Sequence, residues 1–290
     1  MRTTTFFRGL MAATLASTLS GVANAQAALD GLEIVGAPTP RGTGFQPAGS
    51  NIARQLQSLD WLLLVVSAAI VVFVTGLMIY IIMRYNRRKN PTPATFTHHS
   101  VLEIAWTIIP ILVLVVIGAF SLPVLFYSQE IPKADLTIKA VGNQWYWDYE
   151  YPDSEFGFSS YMLAREDLEA AGYDQSEYLL ATDTAVVVPV NKTVVVQVTA
   201  ADVIHAWAVP ALGVKQDGVP GRLAELWFRA DKEGVYFGQC SELCGKDHSY
   251  MPITVKVVSQ EAYDAWLKGA IEEFAGLPAA SQNVKLASAE

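Results

Sequence analysis

Two long apolar stretches stand out from the mixed pattern of the rest of this chain. No charged residue occurs from Trp61 to Met83 or from Ile104 to Gln129. The hydrocarbon core of a bilayer requires about 20 helical residues, so each stretch is long enough to cross a membrane. The pattern therefore predicts transmembrane helices at residues 58–84 and 102–128, with membrane lipid as their surroundings.

The segment between these helices indicates their orientation. Arg84, Arg87, Arg88 and Lys89 are followed by no acidic residue until Glu103. Basic loops stay on the cytoplasmic side of a bacterial membrane, so residues 85–101 are predicted to form a cytoplasmic loop. The external N-terminal segment (26–57) and everything after the second helix are then periplasmic, and the protein is a multi-pass protein of the bacterial inner membrane.

The first residues are typical of a secretory signal peptide. A basic start precedes a short apolar run and the small-x-small sequence Ala23-Asn24-Ala25, which predicts a signal peptide at residues 1–25. A mitochondrial transit peptide is the alternative, because the first acidic residue is Asp30.

Beyond the second helix, short apolar runs separated by turn residues predict an all-β domain at residues 134–275. Residues 164–178 break this pattern with helix-leaning sequence and are predicted to form an exposed insertion, and Gln260–Phe274 has helical spacing. Residues 276–290 are predicted to be a flexible tail. Seven strands are predicted: Leu136–Val141, Trp145–Tyr151, Ala185–Val190, Thr193–Thr199, Glu225–Arg229, Gly234–Gly238 and Ile253–Val258.

The external part of the chain is strongly acidic. Residues 134–290 contain 23 acidic and 11 basic side chains, a net charge of −12, compared with −8 for the whole chain. Such a charge repels nucleic acid and attracts cationic partners, although solubility alone also explains it.

Both cysteines of the chain lie in one short segment, Cys240-Ser-Glu-Leu-Cys244, followed by His248 and Met251. A further imidazole, His205, lies upstream in Val-Ile-His-Ala-Trp. Thiolate, imidazole and thioether are ligands that suit copper. These residues are predicted to converge at one end of the β-domain, where rigid strands can support a metal site.

Other interpretations of this cluster remain open. A disulfide would explain the two cysteines but not the histidines and Met251, and a zinc site has no use for a thioether. A mononuclear copper site needs one cysteine and leaves the second without a role. Two bridging thiolates would let two copper ions share the set, with one histidine for each ion.

Three motifs together resemble subunit II of the haem–copper cytochrome c oxidases: Gly142-Asn-Gln-Trp-Tyr-Trp147, His205-Ala-Trp-Ala-Val-Pro210 and Cys240-Ser-Glu-Leu-Cys-Gly-Lys-Asp-His-Ser-Tyr-Met251. The two-helix anchor fits the same family, and the overall sequence resembles its alpha-proteobacterial members. The resemblance implies a membrane-anchored all-β protein, in which a two-helix hairpin precedes a cupredoxin-like β-barrel. It also implies an electron-transfer subunit that relays electrons from cytochrome c to the oxygen-reducing subunit I.

The resemblance further implies the residues of the site. The dinuclear copper ligands would be His205, Cys240, Cys244, His248 and Met251, with Glu242 contributing its main-chain carbonyl. The Glu242 side chain would help to hold a magnesium ion shared with subunit I. Trp145 would accept electrons from cytochrome c, Glu103 would lie at a proton-uptake route of subunit I, and the cytochrome would dock on Glu150, Asp153, Asp183 and Asp202.

Rival families share parts of this pattern. A thioredoxin-like copper-insertion factor also has Cys-x3-Cys and a distant histidine, but Met251, the Trp145 motif and the second helix oppose it. A quinol oxidase subunit II has the same architecture without copper ligands, and a nitrous oxide reductase domain has the copper loop without the anchor.

Overall fold

A computed structural model describes residue 29 and residues 31–275 of the chain. The predicted signal peptide and flexible tail lie outside the described residues. Among the described residues two compact units are present: residues before Gln55 and residues after Gln129 form the first, and Gln55–Gln129 form the second.

Two long helices correspond to the apolar stretches. Helix α1 spans Asn51–Arg84 and helix α2 spans Ser100–Gln129, and both are long and apolar enough to cross a membrane. Helix α1 begins seven residues before the predicted start at residue 58. Ser50 explains the earlier start, because its Oγ accepts a hydrogen bond from Ala53 N at 3.0 Å and donates to the Leu212 carbonyl at 2.7 Å. Ile52 and Ala53 are consequently buried in the first unit.

The remaining elements form two sheets and a hairpin. Strands β1 (Ile34–Gly36), β10 (Gly234–Gln239), β11 (Pro252–Val258) and β5 (Val186–Pro189) form a sheet in that order. The second sheet has the order β4 (Phe156–Ser160), β3 (Tyr146–Tyr151), β2 (Leu136–Asn143), β6 (Val194–Ala200) and β9 (Ala224–Phe228). Strands β7 (His205–Val209) and β8 (Val214–Gly218) form the hairpin. Within residues 31–275 the hydrogen-bonded pairing does not close into one continuous ring.

One large apolar core fills the space between the sheets. Ile138 and Val196 contribute from the second sheet, whereas Tyr236 and Val255 contribute from the first. Helix α3 (Gln260–Glu273) packs its Tyr263 and Trp266 against the same core, and Ser259 caps it by accepting a hydrogen bond from Ala262 N at 3.2 Å. The β-domain that follows the two apolar helices confirms the predicted fold class.

All seven predicted strands are present, but four observed strands were missed. Strands β1 and β4 are short, and β8 has the polar sequence Val-Lys-Gln-Asp-Gly, so neither length nor alternation identified them. The fourth, β7, is completely buried. Strand β1 pairs in parallel with β10, so the segment before the first helix contributes to the β-domain.

The insertion at residues 164–178 differs from its prediction. Apart from a 3-10 turn at Gln175–Glu177, it consists of turns and irregular structure rather than an α-helix. It is also not fully exposed, because Leu168 and Tyr173 are buried with Ala181, Val235 and Phe237 in a second, smaller core. Four of its five acidic residues are exposed and Glu177 is buried, so the segment is a partly buried cover over β10.

Candidate metal centre

The loop that connects β10 to β11, residues 240–251, is hereafter the copper loop. Antiparallel pairing joins Gln239 to Pro252, so the loop leaves and re-enters the sheet at the same point. Ser241 N donates to the Ala206 carbonyl at 3.0 Å, which ties the loop to the start of β7. His205 follows β6 after a short connection and is the first residue of β7. The two predicted segments therefore meet, as expected from the sequence.

The predicted donor atoms lie within van der Waals distance of one another. The Cys240 and Cys244 sulfurs are 3.9 Å apart and are not bonded. His205 Nδ1 lies 3.8 Å from the Cys240 sulfur, and His248 Nδ1 lies 3.4 Å from the Cys244 sulfur. Each thiol thus has one imidazole of its own.

Two weaker donors complete this arrangement. Met251 Sδ is 3.6 Å from the Cys244 sulfur, and the Glu242 main-chain oxygen is 3.3 Å from the Cys240 sulfur. Atoms that bind one tetrahedral metal at about 2.0–2.3 Å lie about 3.3–3.8 Å apart. The spacing and the soft chemistry of the donors therefore fit copper, and the disulfide interpretation does not describe this structure.

Burial strengthens the case for a metal centre. Cys240, Cys244, Met251 and His205 are all buried, with His205 at 0 % exposure. Polar or ionised groups in such an environment require a compensating partner. A bound cation would supply one for both thiolates.

Asp202 fixes the orientation of the His205 ring. Its Oδ1 is 2.9 Å from His205 Nε2, which leaves Nδ1 to face Cys240. Metal-binding histidines commonly present their other ring nitrogen to a carboxylate, which sets the tautomer and the ring angle. A Cβ at Gly142 would lie 2.8 Å from the His205 ring, so glycine at this position lets the ring pack directly on β2.

The metal-free site has perturbed protonation equilibria. Burial raises the pKa of Cys244 to about 12, with a further contribution from neighbouring Cys240. Burial alone would also raise the pKa of Cys240, but its contact with His205 outweighs this effect and lowers the pKa to about 7. Burial alone would lower the pKa of His205, but its contacts with Cys240 and Asp202 raise it.

Trp145 lies in the tight turn between β2 and β3, next to the copper loop. Its indole is half-buried, and a Cβ at Gly245 would lie 3.1 Å from Trp145 Cζ2. Lys246 Nζ lies 5.6 Å from the ring centroid. The preceding residue, Gln144, donates its side-chain amide to the Cys244 carbonyl at 2.7 Å.

The four predicted docking acids occupy different environments. Glu150 is buried and forms an ion pair of 2.9 Å with Lys139, whereas Asp153 is exposed in a 3-10 turn. Asp183 accepts hydrogen bonds from the main-chain N–H groups of Tyr161 and Thr184, and Asp202 serves His205 as described. A docking role for these acids stays a prediction.

Glu103 and Glu242 also have defined partners. Glu103 lies in the first turn of α2 and accepts a hydrogen bond from His99 N at 3.0 Å. The helix macrodipole favours an acid at this position. The Glu242 carboxylate lies 3.9 Å from Lys215 Nζ and is partly exposed. The proton-uptake and magnesium roles of these two residues stay predictions.

Sequence reasoning missed the structural parts that Gln144, Gly142 and Gly245 play, and it gave Asp202 only a docking role. A signal for Asp202 was present, because an acid three residues before a metal-binding histidine is well placed to orient it. The glycines required three-dimensional information, since only the close approach of His205 and Trp145 gives them meaning.

Comparisons with known proteins show the family of this chain. The family model described as cytochrome C oxidase subunit II, periplasmic domain, matches residues 136–258, and the model of its transmembrane domain matches residues 38–124. Cytochrome c oxidase subunit 2 of Cereibacter sphaeroides is 58 % identical over 292 residues, which cover 94 % of this chain and 96 % of that protein. The probable cytochrome c oxidase subunit 2 of Rickettsia bellii is 49 % identical over 79 % of this chain and 84 % of its own length.

A solved structure is also similar. The periplasmic domain of subunit II of the cytochrome oxidase of Bradyrhizobium japonicum is 55 % identical and covers 50 % of this chain and 99 % of that one, with a TM-score of 0.46. The curated relatives confirm the resemblance inferred from the three motifs and do not favour a copper-insertion factor. The chain therefore belongs to the cytochrome c oxidase subunit II family.

Proposed function

We propose that this subunit of a cytochrome c oxidase holds a dinuclear copper centre on its external domain. The observation that carries the proposal is the pairing of two unbonded thiols, 3.9 Å apart, with one imidazole nitrogen beside each. When bound, copper supplies a one-electron carrier between reduced cytochrome c and the oxygen-reducing subunit I of a proton-pumping terminal oxidase.

The donor groups form two sets, one beside each thiol. His205 and the Glu242 carbonyl lie on the Cys240 side, whereas His248 and Met251 lie on the Cys244 side. His205 begins β7, and the paired strands β10 and β11 anchor both ends of the copper loop, so the donor atoms lie close together before a metal binds. In this assignment every donor to copper is a protein group, so the site suits electron transfer rather than binding of a substrate.

The remaining assignments rest on the family resemblance, and the contacts of Trp145 support one of them. We assign Trp145 as the residue at which electrons from cytochrome c reach the protein, because its indole touches the copper loop at Gly245. The Glu242 side chain is assigned to a magnesium ion shared with subunit I, and Glu103 to proton uptake. Asp153, Asp183 and Asp202 remain the candidates for attraction of a basic cytochrome, with Glu150 held back by its Lys139 partner.

The protein is a membrane protein, and we propose that it lies in the bacterial inner membrane. Residues 1–25 would be the signal peptide, 26–57 an external segment, 58–84 and 102–128 the spans, and 85–101 the cytoplasmic loop. The copper domain (134–275) and the flexible tail (276–290) would be periplasmic. Addition of a membrane-impermeant thiol or lysine reagent to intact spheroplasts would test this, because labelling of Lys89 from outside would contradict the orientation.

The copper assignment can be tested on the purified full-length chain. After loading and removal of excess metal, we expect two coppers per chain and an EPR hyperfine pattern of one electron shared by two copper nuclei. One copper per chain with a single-nucleus pattern would reject the bridging thiolates.

A further inference from the structure

We propose that Gln144 is a positioning residue that fastens the Trp145 turn to the copper loop. The inference rests on the proposed function, in which electrons pass from Trp145 to the copper centre. It adds a residue whose side chain reaches neither the metal nor the indole, and acts by setting the distance between them.

The side chain of Gln144 bridges two separate parts of the chain. It leaves the turn between β2 and β3, yet its Nε2 donates to the main-chain oxygen of Cys244 at 2.7 Å. The residue itself is exposed, so apolar packing does not hold this long side chain in place. An ordered side chain loses rotamer entropy, and the short hydrogen bond to a metal ligand's own carbonyl opposes that loss.

The main chain of Gln144 makes a second attachment. Its N–H donates to Asp202 Oδ2 at 2.8 Å, while Asp202 Oδ1 lies 2.9 Å from His205 Nε2. One carboxylate therefore holds the turn and a metal ligand together. Gln144 is thus joined to both metal-binding segments, through Cys244 on one side and through Asp202 and His205 on the other.

The indole that follows depends on these attachments. A Cβ at Gly245 would lie 3.0 Å from Gln144 Nε2 and 3.1 Å from Trp145 Cζ2, so both side chains pack on the same glycine of the copper loop. A shift of the turn would carry Trp145 away from this contact. Preorganised geometry of this kind matters because the rate of electron transfer falls as the distance between donor and acceptor grows, and a fixed arrangement avoids the cost of reorienting them.

The decisive variant is Gln144→Leu, which keeps a side chain of similar size and removes both the amide donor and its hydrogen bond. The matched control is Gln197→Leu, because Gln197 lies on β6 and bonds to Glu225, away from the copper loop. Both are introduced into the assembled oxidase. Rapid-mixing kinetics then give the rate of electron transfer within the cytochrome complex, and equilibrium titration gives its dissociation constant.

We expect Gln144→Leu to slow electron transfer within the complex about tenfold, with a dissociation constant within about twofold of the parent. Copper content and the copper EPR spectrum should stay unchanged, which separates a displaced turn from a damaged metal site. In the metal-free full-length chain, amide hydrogen exchange should accelerate in the peptide containing Gln144 and Trp145. Gln197→Leu should match the parent in all five measurements.

The variant Trp145→Phe separates a failure of the positioning role of Gln144 from a failure of the role of Trp145. If Trp145→Phe slows electron transfer and Gln144→Leu does not, the positioning role is wrong and the function of Trp145 stands. If neither variant slows it, the role of Trp145 fails and the inference fails with it. A weaker cytochrome complex with an unchanged rate inside it would make Gln144 a docking residue and overturn the proposal.

Discussion

The copper loop and the insertion at residues 164–178 are both irregular segments, but their side chains serve opposite purposes. The copper loop turns Cys240, Cys244 and Met251 inward, where their sulfurs lie close together. The insertion buries Leu168 and Tyr173, which fill a small apolar core. The copper loop is organised around reactive atoms and the insertion around apolar contacts. Substitutions in the first should therefore affect metal binding, and substitutions in the second should affect stability.

The largest expected effect is the loss of the metal centre in Cys244→Ser. A hydroxyl is a poor copper ligand compared with a thiolate, and Cys244 is the thiol nearest to both His248 and Met251. We expect the two-copper EPR signal to disappear and cytochrome c oxidation to fall by at least about 100-fold, as losses of essential groups do. Metal analysis and steady-state turnover of the assembled oxidase are the measurements.

The fold should survive this change, because serine is of similar size and the two thiols form no covalent bond. Circular dichroism of the metal-free variant should therefore match that of the metal-free parent. A variant that kept two coppers with the parent spectrum would show that Cys244 is not a bridging ligand.

The insertion should respond in the opposite way. Leu168 is 0 % exposed, and truncation of a fully buried leucine to alanine costs about 2–5 kcal/mol. We expect Leu168→Ala to lower the free energy of unfolding of the β-domain by an amount in this range, measured by denaturant titration in detergent. Copper stoichiometry and the EPR pattern of the folded variant should remain those of the parent.

A matched control is Ile271→Ala on helix α3, because this side chain is 42 % exposed and its truncation should cost far less. If Leu168→Ala were as mild as the control, the second core would contribute little to stability. If it removed copper without unfolding, the separation between the two segments would be wrong.

The contrast also explains how far the sequence could be interpreted. The copper loop was identified because cysteine, histidine and methionine are uncommon and their chemistry is specific at short spacing. The insertion was misjudged because leucine and tyrosine among acidic residues have no distinctive pattern, and their burial depends on contact with Val235 and Phe237 of β10, far away in the sequence. Strand β8 was missed for a similar reason, since a polar strand such as Lys215–Asp217 shows no alternation.

The contacts around the metal centre could not be predicted from the sequence, because they join segments that are distant in the chain. Gln144 and Cys244 are far apart in the chain, and nothing in either segment specifies that an amide from one meets a carbonyl of the other. The same holds for Asp202. From the sequence alone this acid resembles an ordinary surface charge, and only the structure shows that it orients the His205 ring.

A buried acid away from the metal centre gives an effect of intermediate size. Asp148 is 1 % exposed, and burial raises its pKa although hydrogen bonds from Ser159 and Asn143 oppose the rise. An acid with a raised pKa in the folded state binds more protons when folded, so stability falls as pH rises from about 4 through the folded-state pKa. Above the folded-state pKa the domain therefore carries the full penalty of this charge.

We expect Asp148→Asn to reduce this pH-dependent loss and to stabilise the protein by about 1 kcal/mol at neutral pH, or about 2–4 °C in Tm. Thermal unfolding at pH 4 and pH 7 is the measurement, with exposed Asp153→Asn as the control. A lower Tm for Asp148→Asn at both pH values would mean that the hydrogen bonds of the carboxylate outweigh its burial, which contradicts the prediction.

The smallest effect concerns the docking acids, which the structure separates into exposed and compensated charges. Asp153 is exposed, whereas Glu150 is buried against Lys139 at 2.9 Å. Long-range attraction depends on uncompensated charge and is screened beyond about 10 Å at 0.1 M salt. We expect Asp153→Asn to lower the association rate of a basic cytochrome about twofold at low salt and to have no effect at high salt, measured by stopped-flow mixing.

Glu150→Gln should instead lower stability, because it leaves the buried Lys139 ammonium without its partner. Equal effects of the two variants on association, with stability unchanged in both, would show that the Lys139 ion pair does not remove Glu150 from the docking surface.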